Sequence, residues 1–127
     1  MNQTEMDAIM SQFRRAYGTA NTEGLEAILT SDFEWHTHIG ASETDSPRGR
    51  VIKGVDNLVK ELKWRADNWA KVKYANLVER PAGDVILQTF TISGINEAAK
   101  PFHVNVVDLY SVRDGRIYRK DTYWKQV

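Results

Sequence analysis

Residues 100–124, KPFHVNVVDLYSVRDGRIYRKDTYW, alternate between apolar and polar side chains on both sides of Asp114-Gly115. A period of two broken by an Asp-Gly pair reads as a long antiparallel hairpin, with strands over about 101–113 and 115–125. Alternation puts Val104, Val106, Asp108 and Tyr110 on one face and His103, Asn105, Val107 and Leu109 on the other. The length of the turn decides what Asp108 meets. A three-residue turn, Arg113-Asp114-Gly115 with a glycine bulge, sets it opposite Lys120 as an ion pair, whereas a two-residue turn sets it opposite Asp121.

The same pattern extends upstream. Strands are predicted over 72–80 and 85–94, joined at Pro81-Ala82-Gly83-Asp84, with a loop over 96–100. Nearer the start, Met6, Ile9, Met10, Phe13, Ala16, Tyr17 and Ala20 recur at helical spacing behind a capping-box-like Thr4 and Asp7. A second, shorter helix, capped by Asn21 or Thr22, carries Leu25, Ile28 and Leu29 and ends near Ser31-Asp32. Residues 33–39 then switch to period two, with Phe33, Trp35, Thr37 and Ile39 on one face and Glu34, His36 and His38 on the other. Ala41 to Gly54 reads as a surface loop long enough to serve as a rim or lid. Val55, Leu58, Val59, Leu62, Ala66 and Trp69 restore the helical period in a third helix.

Helix, helix, strand, helix and then four closely connected strands is a segregated α+β order. It predicts a cone-shaped, curved mixed or antiparallel sheet covered by three N-terminal helices, an α+β barrel. With 127 residues the chain makes one domain, 1–127. Side chains pointing into such a cone face a gap suited to a small molecule. Seventeen basic and seventeen acidic residues leave no net field to attract nucleic acid or an anionic membrane. The lack of cysteine removes thiolate chemistry and fits a reducing compartment. With no signal peptide or spanning segment in the pattern, a cytoplasmic location is expected.

The hairpin at 100–124 resembles the C-terminal hairpin of the nuclear transport factor 2-like superfamily, which includes ketosteroid isomerase and the SnoaL-like polyketide cyclases. The EGLEAIL stretch of the second helix, the Asp32-Phe33 entry into the first strand and the Lys53-Gly54 step agree with it. The resemblance spans nearly the whole chain but covers many reactions and some non-catalytic members. Val106-Val107-Asp108 resembles the run in which ketosteroid isomerase places its oxyanion-hole aspartic acid, which implies a functional role for Asp108. It also implies pocket positions for Trp124, Gln88, Phe90 and Ile92. Two positions depart from that enzyme. Its first-helix tyrosine corresponds to Ala16, with Tyr17 about 100° further round the helix, and its general-base position corresponds to Thr37. A one-residue slip of the strand would bring His36 or His38 there instead.

These residues suggest proton-transfer chemistry. Asp108, His36, His38, Tyr17 and Lys120 are the candidate catalytic groups. Phe13, Trp35, Thr37, Gln88, Phe90, Val106, Tyr110 and Trp124 are the candidate substrate-binding residues. Trp69 reads as core and Trp64 as interfacial, and Arg48, Arg50, Lys53 and Lys60 read as a solvated face. The expected function is that of a lyase or isomerase of dehydratase, cyclase or isomerase type. It would need no cofactor or metal and act on a small apolar or weakly polar substrate. The alternatives are a non-catalytic ligand-binding or dimerisation module of the same fold, and metal-dependent hydrolysis through Glu34, His36 and His38. The resemblance also implies a homodimer formed through the outer sheet face.

Overall fold

The computed structural model describes residues 1–40 and 46–127, so part of the predicted 41–54 loop lies outside the described residues. The elements are α1 (Gln3–Gly18), α2 (Thr22–Ile28), β1 (Leu29–His38), β2 (Arg50–Lys53), α3 (Gly54–Asn68), β3 (Ala70–Ala82), β4 (Val85–Ile95), β5 (Pro101–Arg113) and β6 (Arg116–Gln126). The six strands form one mixed sheet in the order β2-β1-β6-β5-β4-β3. Its right-hand four form the expected antiparallel meander, and β1 joins β6 in parallel. The sheet remains open between β2 and β3.

Met6, Met10 and Phe13 of α1, Leu25 and Ile28 of α2, and Leu58 of α3 meet Phe33, Trp35, Ile86 and Ile117 of the sheet in one core. A smaller cluster around Ile92, Val104 and Val106 includes Trp69, Phe102 and Trp124. Burying a large apolar side chain contributes roughly 1.5–3 kcal/mol, so this layer of Leu, Met, Phe and Trp holds the helices against the sheet.

Several boundaries differ from the sequence reading. Asn2, rather than Thr4, caps α1 by accepting from the Glu5 amide at 2.8 Å. Leu29 belongs to β1 and pairs with Ile117, because a buried leucine satisfies a helix stripe and a strand face equally well. The short edge strand β2, paired with residues 34–37 of β1, was not expected within the loop. The β3–β4 turn is tighter than the four residues predicted, since Pro81 and Ala82 still pair with Ile86 and Val85.

The decisive difference lies in the hairpin. Asp114 (φ 53°) and Gly115 (φ 74°) form a two-residue turn of the type that matches strand twist, between the paired Arg113 and Arg116. Val112 pairs with Ile117, but Ser111 pairs with Arg119, leaving Tyr118 as an extra residue in β6. This bulge changes the register by one. Asp108 therefore faces Thr122, and Lys120 faces Tyr110, so neither register expected from turn length alone is correct. The bulge also switches strand parity: Ile117, Lys120 and Thr122 are all buried, which strict alternation from Ile117 forbids.

Deleting Tyr118 should leave a regular ladder in which Ile117, Lys120 and Thr122 keep the inner face, so cooperative urea unfolding should persist with a loss of no more than about 3 kcal/mol. Tyr118→Ala, which keeps the residue count, should lose only about 1 kcal/mol. A deletion variant that no longer unfolds cooperatively would show that Tyr118 is not the extra residue of the strand.

Candidate active site

Between α1, the end of α3 and the concave face of the sheet lies a cavity of about 1050 Å³. Its floor is polar and its walls are aromatic. Lys120 extends from β6 with only 4% of its surface exposed, and Asp108 on β5 has 2%. Lys120 Nζ stands 3.8 Å from Asp108 Oδ2. It also lies 4.2 Å from the Trp35 ring centre, 4.5 Å from Tyr17, 5.5 Å from Tyr110 and 5.6 Å from Phe13. Removing an ammonium from water costs several kcal/mol, and here the ring faces and one carboxylate offset that cost. Burial nonetheless pulls the Lys120 pKa below 10.5, with Asp108 opposing the shift and Arg65 adding to it.

Hydrogen-bond direction follows from the donor inventory. The indole Nε1–H of Trp35 can only donate, and it does so to Thr122 Oγ1 at 2.8 Å. The Thr122 hydroxyl hydrogen is thus available to Asp108 Oδ1, 2.5 Å away. On the other side, Tyr110 donates to Gln88 Oε1 at 2.8 Å, and Gln88 Nε2 donates to Glu79 Oε2 at 2.7 Å. Arg14 closes this chain on Glu79. Tyr110 has one hydrogen and a nearer acceptor in Gln88 than in Asp108 Oδ2, at 3.4 Å. Asp108 therefore has one oxygen fixed by Thr122 and a second, Oδ2, held mainly by Lys120, and the residue borders the cavity.

Tyr17 also lines this space, and burial pushes its hydroxyl up to about 12, against the lowering influence of Arg65. It stays protonated at any ordinary pH. Its neighbour Ala16 packs into the core, so the 100° rotation between them turns Tyr17 toward the cavity.

Phe13, Tyr17, Trp35, Gln88, Phe90, Val106, Asp108, Tyr110 and Lys120 all border the same cavity. His36 and His38 do not. His36 lies on the opposite face of β1, its Nδ1 2.9 Å from the Arg48 carbonyl oxygen and its Nε2 2.9 Å from Glu34. His38 stacks on Tyr123 at 4.7 Å. The expectation that one of them shares a site with Asp108 is corrected, because the slip that would turn them inward is prevented by the pairing of β1 with β2 and β6. Among the described residues, no three metal-ligating side chains cluster. Thr37 and Trp124 are corrected too. Thr37 spends its hydroxyl on the Arg50 carbonyl, and Trp124 packs with Phe102 and Trp69 behind the cavity wall.

Thr122, Glu79, Arg65 and Trp69 were missed. Thr122 shares the Lys120 face two residues on, and Arg65 follows Glu61 by one helical turn, so both carried a spacing signal.

The family model of the SnoaL-like domain matches residues 10–120. This chain belongs to the SnoaL-like family, within the nuclear transport factor 2-like fold. A solved NTF2-like protein from Burkholderia xenovorans superposes with a TM-score of 0.81 at 20% identity, covering 98% of this chain and 92% of that one. A Catenulispora acidiphila protein of ketosteroid isomerase-like fold, solved with trimethylamine, gives 0.70 at 17% identity over 92% and 85% of the two chains. IdmH of Streptomyces antibioticus, provisionally described as a polyketide cyclase, gives 0.69 at 16% over 94% and 91%. At these identities the likeness is one of fold. No curated protein matches the chain in sequence.

The buried pair can be tested by stability. Lys120→Met should cost about 3 kcal/mol by leaving Asp108 without its cation, while adding Asp108→Asn should recover most of that loss in urea titrations. A single substitution that is neutral would show that the pair carries no net interaction.

Proposed function

We propose that the cavity catalyses cofactor-independent proton transfer on a small carbonyl compound, as a lyase or isomerase. The observation that carries this reading is the Asp108 carboxylate at the base of an apolar cavity, with one oxygen anchored by Thr122 and the other beside Lys120. In the proposed reaction, Asp108 Oδ2 takes a proton from the carbon next to the substrate carbonyl. The electron pair passes to the carbonyl oxygen, where the Lys120 ammonium and the Tyr17 hydroxyl donate hydrogen bonds to the developing enolate. Return of the proton at another carbon completes an isomerisation, and loss of a β-substituent completes an elimination. The cyclase description of IdmH and the isomerase description of a Bacillus subtilis neighbour are consistent with enolate chemistry in this fold.

A second reading, a binding module without turnover, is favoured by one observation: among the described residues every fully buried side-chain polar atom has a hydrogen-bond partner. Loss of α-proton signals in D₂O separates the two. The protein should accelerate exchange for at least one member of a panel of aryl and alicyclic ketones. Asp108→Asn should slow that exchange on the order of a thousandfold while ligand binding persists, and His38→Gln should leave it unchanged. Ketones that bind without exchanging would favour the module.

The rate should fall on the alkaline side as Lys120 loses its proton, at a pH below the 10.5 of free lysine because its pKa is lowered. In Lys120→Met that limb should vanish, whereas an unaltered alkaline limb would remove Lys120 from the mechanism.

A further inference from the structure

Arg65 projects from the last turn of α3 into the cavity wall and is used by none of the steps above. Its guanidinium lies 4.8 Å from the Trp35 ring centre and 4.7 Å from Trp69. Its side chain is 17% exposed, and its Nε donates to Glu61 Oε2 at 2.9 Å. A guanidinium has five N–H donors. The remaining four find no acceptor among the described residues.

The local charges are also unequal. Asp108 is matched by Lys120 and Glu79 by Arg14. Glu61 is shared, giving Oε1 to Arg50 at 2.8 Å and Oε2 to Arg65. With Glu97, which accepts from the Trp69 indole at 2.8 Å, four cations stand against four carboxylates, and Lys63 and Lys71 add positive charge among the cavity-lining residues. Arg65 lowers the pKa of both Lys120 and Tyr17, so its charge is felt across the cavity. A bound negative charge near Arg65 would reduce this excess.

We infer that Arg65 is a carboxylate anchor and that the cavity takes aromatic or alicyclic monocarboxylates. This amends the expectation of an apolar or weakly polar substrate and rests on reading the cavity as a ligand site. A planar guanidinium held against two indoles presents its outer N–H pair in the geometry that a carboxylate accepts in two parallel bonds. Leu62, Trp69, Phe90 and Ile92 supply apolar wall for the ring body. The volume, about 1050 Å³, accommodates a molecule larger than a single ring. With its carboxylate at Arg65, such a ligand can reach across Trp35 toward Lys120 and Asp108, since both cations pack against that one indole.

Matched ligands test this by equilibrium binding, read by calorimetry or by tryptophan emission. Naphthalene-2-carboxylate should bind at least tenfold more tightly than naphthalene-2-carboxamide, and the preference should weaken as salt is raised. Arg65→Gln should abolish the preference while leaving affinity for the amide within about twofold. Arg65→Lys, which retains the charge opposite Glu61, should keep part of it and guards against a folding artefact. Equal affinity for acid and amide would overturn the inference, as would a preference that survives Arg65→Gln but is lost in Lys120→Met. The measurement requires no turnover. Failure of ketone exchange with the acid preference intact would count against the proton-transfer reading alone, and exchange without the preference against the anchor alone.

Discussion

Tyr118 has no partner in an otherwise continuous ladder, and the inward-facing set of β6 changes there. On the turn side of the bulge, Ile117 fills the core under the helices. Beyond it, Lys120 and Thr122 enter the cavity. With strict alternation Asp108 would face Asp121, and two carboxylates would meet in a desolvated layer, an arrangement that raises one pKa strongly or expels one group. A single inserted residue therefore reconciles an apolar core at one end of the strand with a charged pair in its middle. The aromatic residues around Lys120, supplied by α1, β1 and β5, pack against a cation that the bulge has put in place.

The polar groups behind this pair form a directed chain. Trp35 can only donate, so the hydrogen of Thr122 is free for Asp108; Gln88 binds Glu79 through its nitrogen, so its oxygen receives Tyr110. Each member limits the choices of the next. Such prior orientation reduces rearrangement when charge develops on a ligand, which is where fixed dipoles are most effective. The outer face of β1 has its own ordered group in His36, Glu34 and the Arg48 carbonyl, which ties the β2 side to the sheet.

The helices and the hairpin were legible because their apolar periods run for many residues and an Asp-Gly pair marks the turn. β2 was not, because four residues, Arg50 to Lys53, carry too short a pattern to stand out from a loop. Nothing in the residue type of Tyr118 announces a bulge, so the hairpin register had to come from three-dimensional packing. Alternation assigned the histidines to the face away from Trp35 correctly, but it could not tell how far each inward residue lies from the cavity. Thr37 and Trp124 share faces with wall residues but do not border the cavity. Arg65 escaped notice for the opposite reason: a charged residue on a helix reads as solvated until the tryptophans that cover it are located.

The strand order has a consequence for how the chain is made. β6 is hydrogen-bonded to β5 on one side and β1 on the other, so β1 and β2 have no sheet to join until the last of the strands has been synthesised. The bond from Trp35 to Thr122 spans 87 positions. On the ribosome, β1 has no partner on its β6 side until residues 116–126 emerge. Contacts this distant in sequence slow folding and prolong the exposure of apolar strands. Folding of this domain thus waits on β6, and the strand that carries Lys120 also joins the β1–β2 pair to the meander.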